Sequence, residues 1–435
     1  MSGLHDNRRF RRFWAAQAIS QFGDRVSELA LPLLAVGLLS ATSAQIGLLT
    51  AAIWLPYLVS FFVGGWVDQC RRKRRIMVGA DLARAAVLVS LPVAWWLDAL
   101  SLPQVLLVAL LNGFGEVFFY TAAPSVFVSL VPRELYLPAN SRLSSTRSAS
   151  FIAGPALGGV LVQVLTAPVA VLADAVSFLA SAFLVGRIPP TNADRETDDR
   201  ETPSTNAEAA DDFDPGGRRM LQGLRFLAGH RYLRASLACA ATVNFFSLIG
   251  STLLVLFASR TLGLSAGLIG LAFGLGAIGG LLGALVAPRL AQRFGIGTVA
   301  IVGAFVYPAA FAIPALAGGP TALAVGVLVV AEFIGSFGVM LFDVNLNSLQ
   351  ATLIPDAMRS LVAGAFSTVN YGVRPLGALT GGLLGTTIGL RPTLVVAAVG
   401  GAASCLWLWH SPIRQVWALT DLDAVDELMV DELRV

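Results

Sequence analysis

Lysine is all but missing from this chain: of 30 basic residues, Lys73 alone is not arginine. A phosphate loop of the Gly-x-x-x-x-Gly-Lys-Ser/Thr type is therefore absent, and the chain cannot serve as its own ATPase. Gly274-Leu275-Gly276-Ala277-Ile278-Gly279 fits the dinucleotide spacing, but no strand precedes it and it lies within an apolar run. It reads as a small-residue packing face. Histidine is scarce too. His5, His230 and His410 fall at span edges or in a tail, so neither a metal cluster nor a histidine relay is expected. Cys70, Cys239 and Cys405 stand singly, which excludes a disulfide framework and a zinc site. No enzyme, metal or cofactor is expected.

Charge is the next deficit. Only 13% of the 435 residues are charged, against 56% hydrophobic, at a mean hydropathy of +0.73. That is too apolar for a soluble protein. The net charge of +3 is no nucleic-acid signature. In place of charge stand long apolar runs, and a helix needs about 20 such residues to cross a bilayer. Twelve qualify: 13–39, 44–66, 76–97, 102–128, 139–164, 169–187, 235–259, 265–288, 296–317, 320–346, 360–388 and 392–410. They are continuous rather than alternating, so strands are excluded as spans. The expectation is an all-α membrane protein of twelve transmembrane helices in the lipid bilayer.

Basic residues set the topology. Arg8 to Arg12, Arg71 to Arg75, Arg133, Arg289, Arg293, Arg359 and Arg414 share one side if the spans alternate, with Arg260 and Arg391 opposite. Both termini are then cytoplasmic, and the flank Arg8–Arg12 does not read as a signal peptide. An acidic, Pro- and Gly-containing stretch, 191–217, divides the spans six and six and reads as a flexible linker. Met220, Leu221, Leu224 and Leu227 alternate with Arg218, Arg219, Gln222 and Arg225, which suits an amphipathic helix on the inner leaflet. The domains expected are 1–190, a linker with its helix over 191–230, 231–411 and a tail over 412–435. Phe119, Ser125, Leu130 and Pro132 recur as Phe342, Ser348, Leu353 and Pro355 at one constant offset, so the halves read as pseudo-symmetric repeats.

Ionisable residues at bilayer depth mark pathways, and here they form stripes. Gln17, Gln21, Asp24 and Glu28 share one face of span one; Asn112, Glu116 and Tyr120 share one of span four. Span seven carries Asn244, Ser247 and Ser251, and span ten Glu332, Ser336, Asp343 and Asn347. Arg147 and Arg374, in spans five and eleven, are candidate counter-ions. Arg25 can pair with Asp24 or with Glu28. Single Ser or Asn residues in spans also serve as glue between helices.

Between spans two and three stands Gly64-Gly65-Trp66-Val67-Asp68-Gln69-Cys70-Arg71-Arg72-Lys73-Arg74-Arg75. This Gly-x-x-x-Asp with a basic run resembles the loop between helices 2 and 3 of the major facilitator superfamily, where it acts as a gate. Gly64, Asp68, Arg71, Arg72 and Arg75 are its candidates, with Asp81 and Arg84 expected to anchor it. The counterpart after span eight has Ala287 in place of the acid. Gly154-Pro155-Ala156-Leu157-Gly158-Gly159 resembles the Gly-Pro-x-x-Gly-Gly end of the antiporter motif, with plain close packing as the alternative. Gln21-Phe22-Gly23-Asp24, Leu130-Val131-Pro132-Arg133-Glu134, Ile354-Pro355-Asp356 and Arg374-Pro375-Leu376-Gly377 add a resemblance to the bacterial drug and siderophore exporter branch, enterobactin-exporter-like and macrolide-efflux-like. The arginine that drug exporters often carry in span four is absent here. The resemblance implies two six-helix bundles in a bacterial inner membrane. It implies a monomer that exports a small amphipathic molecule in exchange for protons, the proton gradient being the energy source. An uptake symporter and a non-transporting sensor or lipid-handling protein are the alternatives.

Overall fold

A computed structural model describes residues 7–70, 72–189, 217–355 and 358–421. The expected linker up to residue 216, most of the acidic tail, Arg71 and Asp356 lie outside them. Among the described residues the secondary structure is entirely helical. Nine helices among those residues are long and apolar enough to cross a membrane. The polar-striped α1 (Arg8–Gly37), the broken segment Ser43–Gln69 and the polar-striped α14 (Arg359–Thr387) are consistent with the other three of the twelve spans expected from sequence.

The chain divides into two compact units, Met1–Ala41 with Ala52–Arg218 and Thr42–Ala51 with Arg219–Val435. In the first, α1 starts at Asn7, whose side chain caps the Phe10 N–H at 3.0 Å and ties itself to the Leu130 carbonyl at 2.9 Å. The second span is interrupted: α2 (Ser43–Trp54) gives way to a tight turn, Leu55–Val59, before α3 (Ser60–Gln69). Pro56 opens that turn, where its missing N–H breaks no helical bond. Then come α4 (Lys73–Trp96), α5 (Leu102–Leu130), α6 (Tyr136–Leu165) and α7 (Ala167–Gly186). Phe10, Phe13, Met77, Phe119, Leu130 and Val185 form the core at one end of this bundle. Outward residues such as Leu137 and Trp96 remain exposed, as lipid-facing surface requires.

The second unit begins with α8 (Gly217–Gly229) and continues with α9 (Arg231–Leu256), α10 (Ala266–Phe294), α11 (Ile296–Ala309), α12 (Ala312–Ala315) and α13 (Thr321–Leu353), then α14, α15 (Leu390–Ala402) and α16 (Cys405–Trp409). Helix α8 packs into this unit. Leu227 is fully buried, Leu224 packs on the unit's core, and Gly223 exposes backbone to the Leu361 carbonyl of α14. The repeat pairs also share burial: Phe119 and Phe342 are each 3% exposed, Leu130 is 6% and Leu353 5%. Thr42–Ala51 packs on α14, where the Ala44 N–H donates to Thr386 Oγ1 at 3.1 Å.

Candidate functional site

The first unit holds its charge in the interior. Arg84 lies eleven residues past the start of α4, a rise of roughly 16 Å into the bundle. Its Nη2 donates to Asp24 Oδ1 of α1 at 2.5 Å, and its Nε to Asn112 Oδ1 of α5 at 3.0 Å. The guanidinium carbon stands 3.9 Å from the Phe178 ring centroid on α7. Room comes from α5: a Cβ on Gly115 would stand 2.4 Å from Arg84 Cγ. The sequence reading grouped Arg84 and Asp81 with the basic gate loop. In the bundle the helical rise places Arg84 at the polar stripes of α1 and α5, and Asp81 faces Ser181 of α7.

Arg25, the neighbour of Asp24, takes Glu28 instead. Its Nη1 lies 2.6 Å from Glu28 Oε2, with 57% of the Glu28 side chain exposed, so the pair contributes little to stability. Arg25 also stands over Phe151 of α6, 5.2 Å from the ring centroid. Gly154 of the Gly-Pro-x-x-Gly-Gly segment sits against Arg25, and Gly158 meets the Val26 backbone; a Cβ on Gly154 would be 2.3 Å from Arg25 Cβ. Pro155 lies within α6, and Gly159 is buried.

One turn beyond Asn112 on α5, Glu116 faces the Tyr57 hydroxyl. Toward the other end of α1, a cavity of about 260 Å³ is lined by Gln17, Gln21, Tyr120, Phe127, Asn140 and Arg147, among others. Gln21 Oε1 is buried without a hydrogen-bond partner. Gln17 and Gln21 of the α1 stripe and Tyr120 of the α5 stripe therefore border one cavity.

Among the candidate gate residues, Gly64 lies on α3, where a Cβ would meet Thr121 at 3.8 Å. Arg72 immediately precedes α4, and with Arg75, Cys70 and Ile76 it borders a shallow cavity of about 440 Å³. Lys73 Nζ donates to Ser125 Oγ at 3.1 Å, and Arg74 to the Ile188 carbonyl. The side chain of Asp68 lies outside the described residues.

In the second unit, Arg374 of α14 donates through Nε to Asn244 Oδ1 of α9 at 2.9 Å, and Asn244 Nδ2 donates to Asn370 Oδ1 at 2.8 Å. The guanidinium stands 4.5 Å from the Tyr371 ring centroid, with Asp343 of α13 in electrostatic range. Glu332 turns toward α10, its Cβ packed on Gly276. It is therefore not brought to the Asn244–Arg374 group.

Asp174, Tyr57, Phe178 and Asn370 were missed in the sequence. Asp174 carried the signal that exposed Asp24, a lone acid in an apolar run; the other three became legible only through their partners.

The Major Facilitator Superfamily profile matches residues 13–378. Macrolide efflux protein A of Streptococcus pyogenes is 28% identical over 186 residues, 42% of this chain and 45% of that protein, so the match spans about half of that relative. The uncharacterized MFS-type transporter YfiS of Bacillus subtilis is 25% identical over 395 residues, 88% of each chain. Among solved structures, a bacterial homologue of the iron transporter ferroportin in an inward-facing state superposes with a TM-score of 0.70 at 18% identity, covering 94% of this chain and 99% of that one. At that identity the likeness speaks to the fold alone.

Proposed function

This chain belongs to the Major Facilitator Superfamily, a family of multi-pass membrane transporters, and on that premise we propose that it exports a small amphipathic molecule (a drug, antibiotic or siderophore) in exchange for protons. The observation that carries this reading is the seating of α6 on α1. Gly154 and Gly158 bring the antiporter-type segment against Arg25 and Val26, beside the Asp24 that Arg84 holds. A bend at Pro155 would thus be felt at the polar cluster. The half-length likeness to a macrolide efflux protein supports export. The proton gradient supplies the energy, Asp24, Glu28 and Glu116 border the path, and the loop Asp68–Arg75 closes it from the cytoplasmic side, where both termini lie. A monomer in a bacterial inner membrane suffices.

The test is transport in proteoliposomes carrying an internal pH dye. Macrolides and catecholate siderophores are offered under an imposed proton gradient, then under a sodium gradient. Movement of one of them against the proton gradient, with alkalinisation on the opposite side, is the expected result. Co-movement of protons and substrate in one direction would establish the uptake symporter instead. Transport under the sodium gradient alone would overturn the choice of ion.

A further inference from the structure

Behind the cavity, where α1, α4 and α7 meet, lies a second set of carboxylates that the transport reading leaves unused. Asp174 of α7 is 0% exposed. Its oxygens accept from the Ser27 hydroxyl of α1 and, at 3.1 Å, from the Ser177 hydroxyl one turn along α7. Both donors are neutral. Gly23 lets α1 close over this set: a Cβ there would stand 2.1 Å from Ser177 Oγ and 2.3 Å from Asp174 Oδ1. Asp81 of α4, also 0% exposed, faces Ser181, and neither its oxygens nor that hydroxyl closes a hydrogen bond. The charged groups facing Asp174 are Asp24 from α1 and Arg84 from α4; Asp81 and, from α5, Glu116 also face that same guanidinium.

Charge balance follows from this packing. One guanidinium serves several carboxylates, and it already contacts Asp24 and Asn112. A second ionised carboxylate, sealed from water and held by hydroxyls alone, is far less favourable than the neutral acid. We propose that Asp174 is a proton-binding site of the transport cycle and the alternate partner of Arg84. The inference rests on the proton-coupled reading above. With Arg84 on Asp24, the proton is bound to Asp174. When Arg84 turns to Asp174, the O–H bond there breaks and one forms on Asp24, so the charge of the trio is unchanged. Asp24 has 16% of its side chain exposed and is the member that exchanges its proton with water.

The experiment pairs infrared difference spectroscopy of the reconstituted protein with the proton-flux assay. Asp174→Asn should remove one component of the protonated-carboxyl stretch seen in the parent at neutral pH. Substrate binding should survive while substrate-driven proton movement falls by an order of magnitude or more. Ser27→Ala and Ser177→Ala, which keep the acid and alter only its donors, should shift that component, and they decide the matter should Asp174→Asn not fold. An unchanged stretch in all three variants, with parental proton movement, overturns the inference and leaves proton coupling standing. A parent that moves no protons with any substrate overturns both.

Discussion

Asp24 and Arg84 lie 60 positions apart in the chain and 2.5 Å apart in the bundle, where their contact ties α1 to α4. Arg84 is 1% exposed in this pair, and removing one member of a buried pair strands the other.

Arg84→Leu should therefore destabilise the protein by about 3–5 kcal/mol, and adding Asp24→Asn should restore part of the loss. Thermal unfolding in one detergent, run as a double-mutant cycle, measures the coupling. Strictly additive losses would mean that the contact contributes nothing.

Glu116 and Tyr57 separate charge from hydrogen bonding. Glu116→Gln should abolish substrate-driven proton movement while binding of a neutral substrate persists. Tyr57→Phe, which removes the donor and leaves the acid, should keep proton movement and change its rate by about tenfold or less. Equal loss in both variants would assign the role to the hydrogen bond rather than the acid.

At Gly154 sterics decide. Gly154→Val places a branched side chain where even a Cβ stands 2.3 Å from Arg25, so α6 must move away from α1. A cost of about 1–3 kcal/mol and a loss of transport at matched expression are expected. Gly64→Ala, whose Cβ would meet Thr121 at 3.8 Å, should stay close to the parent in stability.

Asp68 is the single acid among the loop's basic residues, and a carboxylate there is a strong acceptor for charge-assisted hydrogen bonds. Asp68→Asn should cripple transport in vesicles while leaving insertion and thermal stability unchanged. Parental efflux would remove the loop's acid from the mechanism.

The linker offers a contrast. Deleting residues 194–203 should leave transport largely intact, because that stretch is polar and brings no apolar surface to a core. A protein that fails to insert after this deletion would reveal a structural role.

Composition alone determined the class of this protein. With few charges and membrane-length apolar runs, the backbone must satisfy its own hydrogen bonds, and helices follow. The helical period then determined the polar stripes, since Gln17, Gln21 and Asp24 must share a face wherever α1 goes. Only the tertiary structure decided partners. Arg25 could join Asp24 or Glu28 by spacing, and the position of α4 resolved it by bringing Arg84 to Asp24. Periodicity likewise left Asp174 among apolar neighbours; the packing of α1 on α7 over Gly23 supplied its serine donors. A sequence carries the spacing within a helix because 1.5 Å of rise per residue is local geometry. Contacts between helices depend on where small residues let backbones close, and that is settled only when all the faces pack at once.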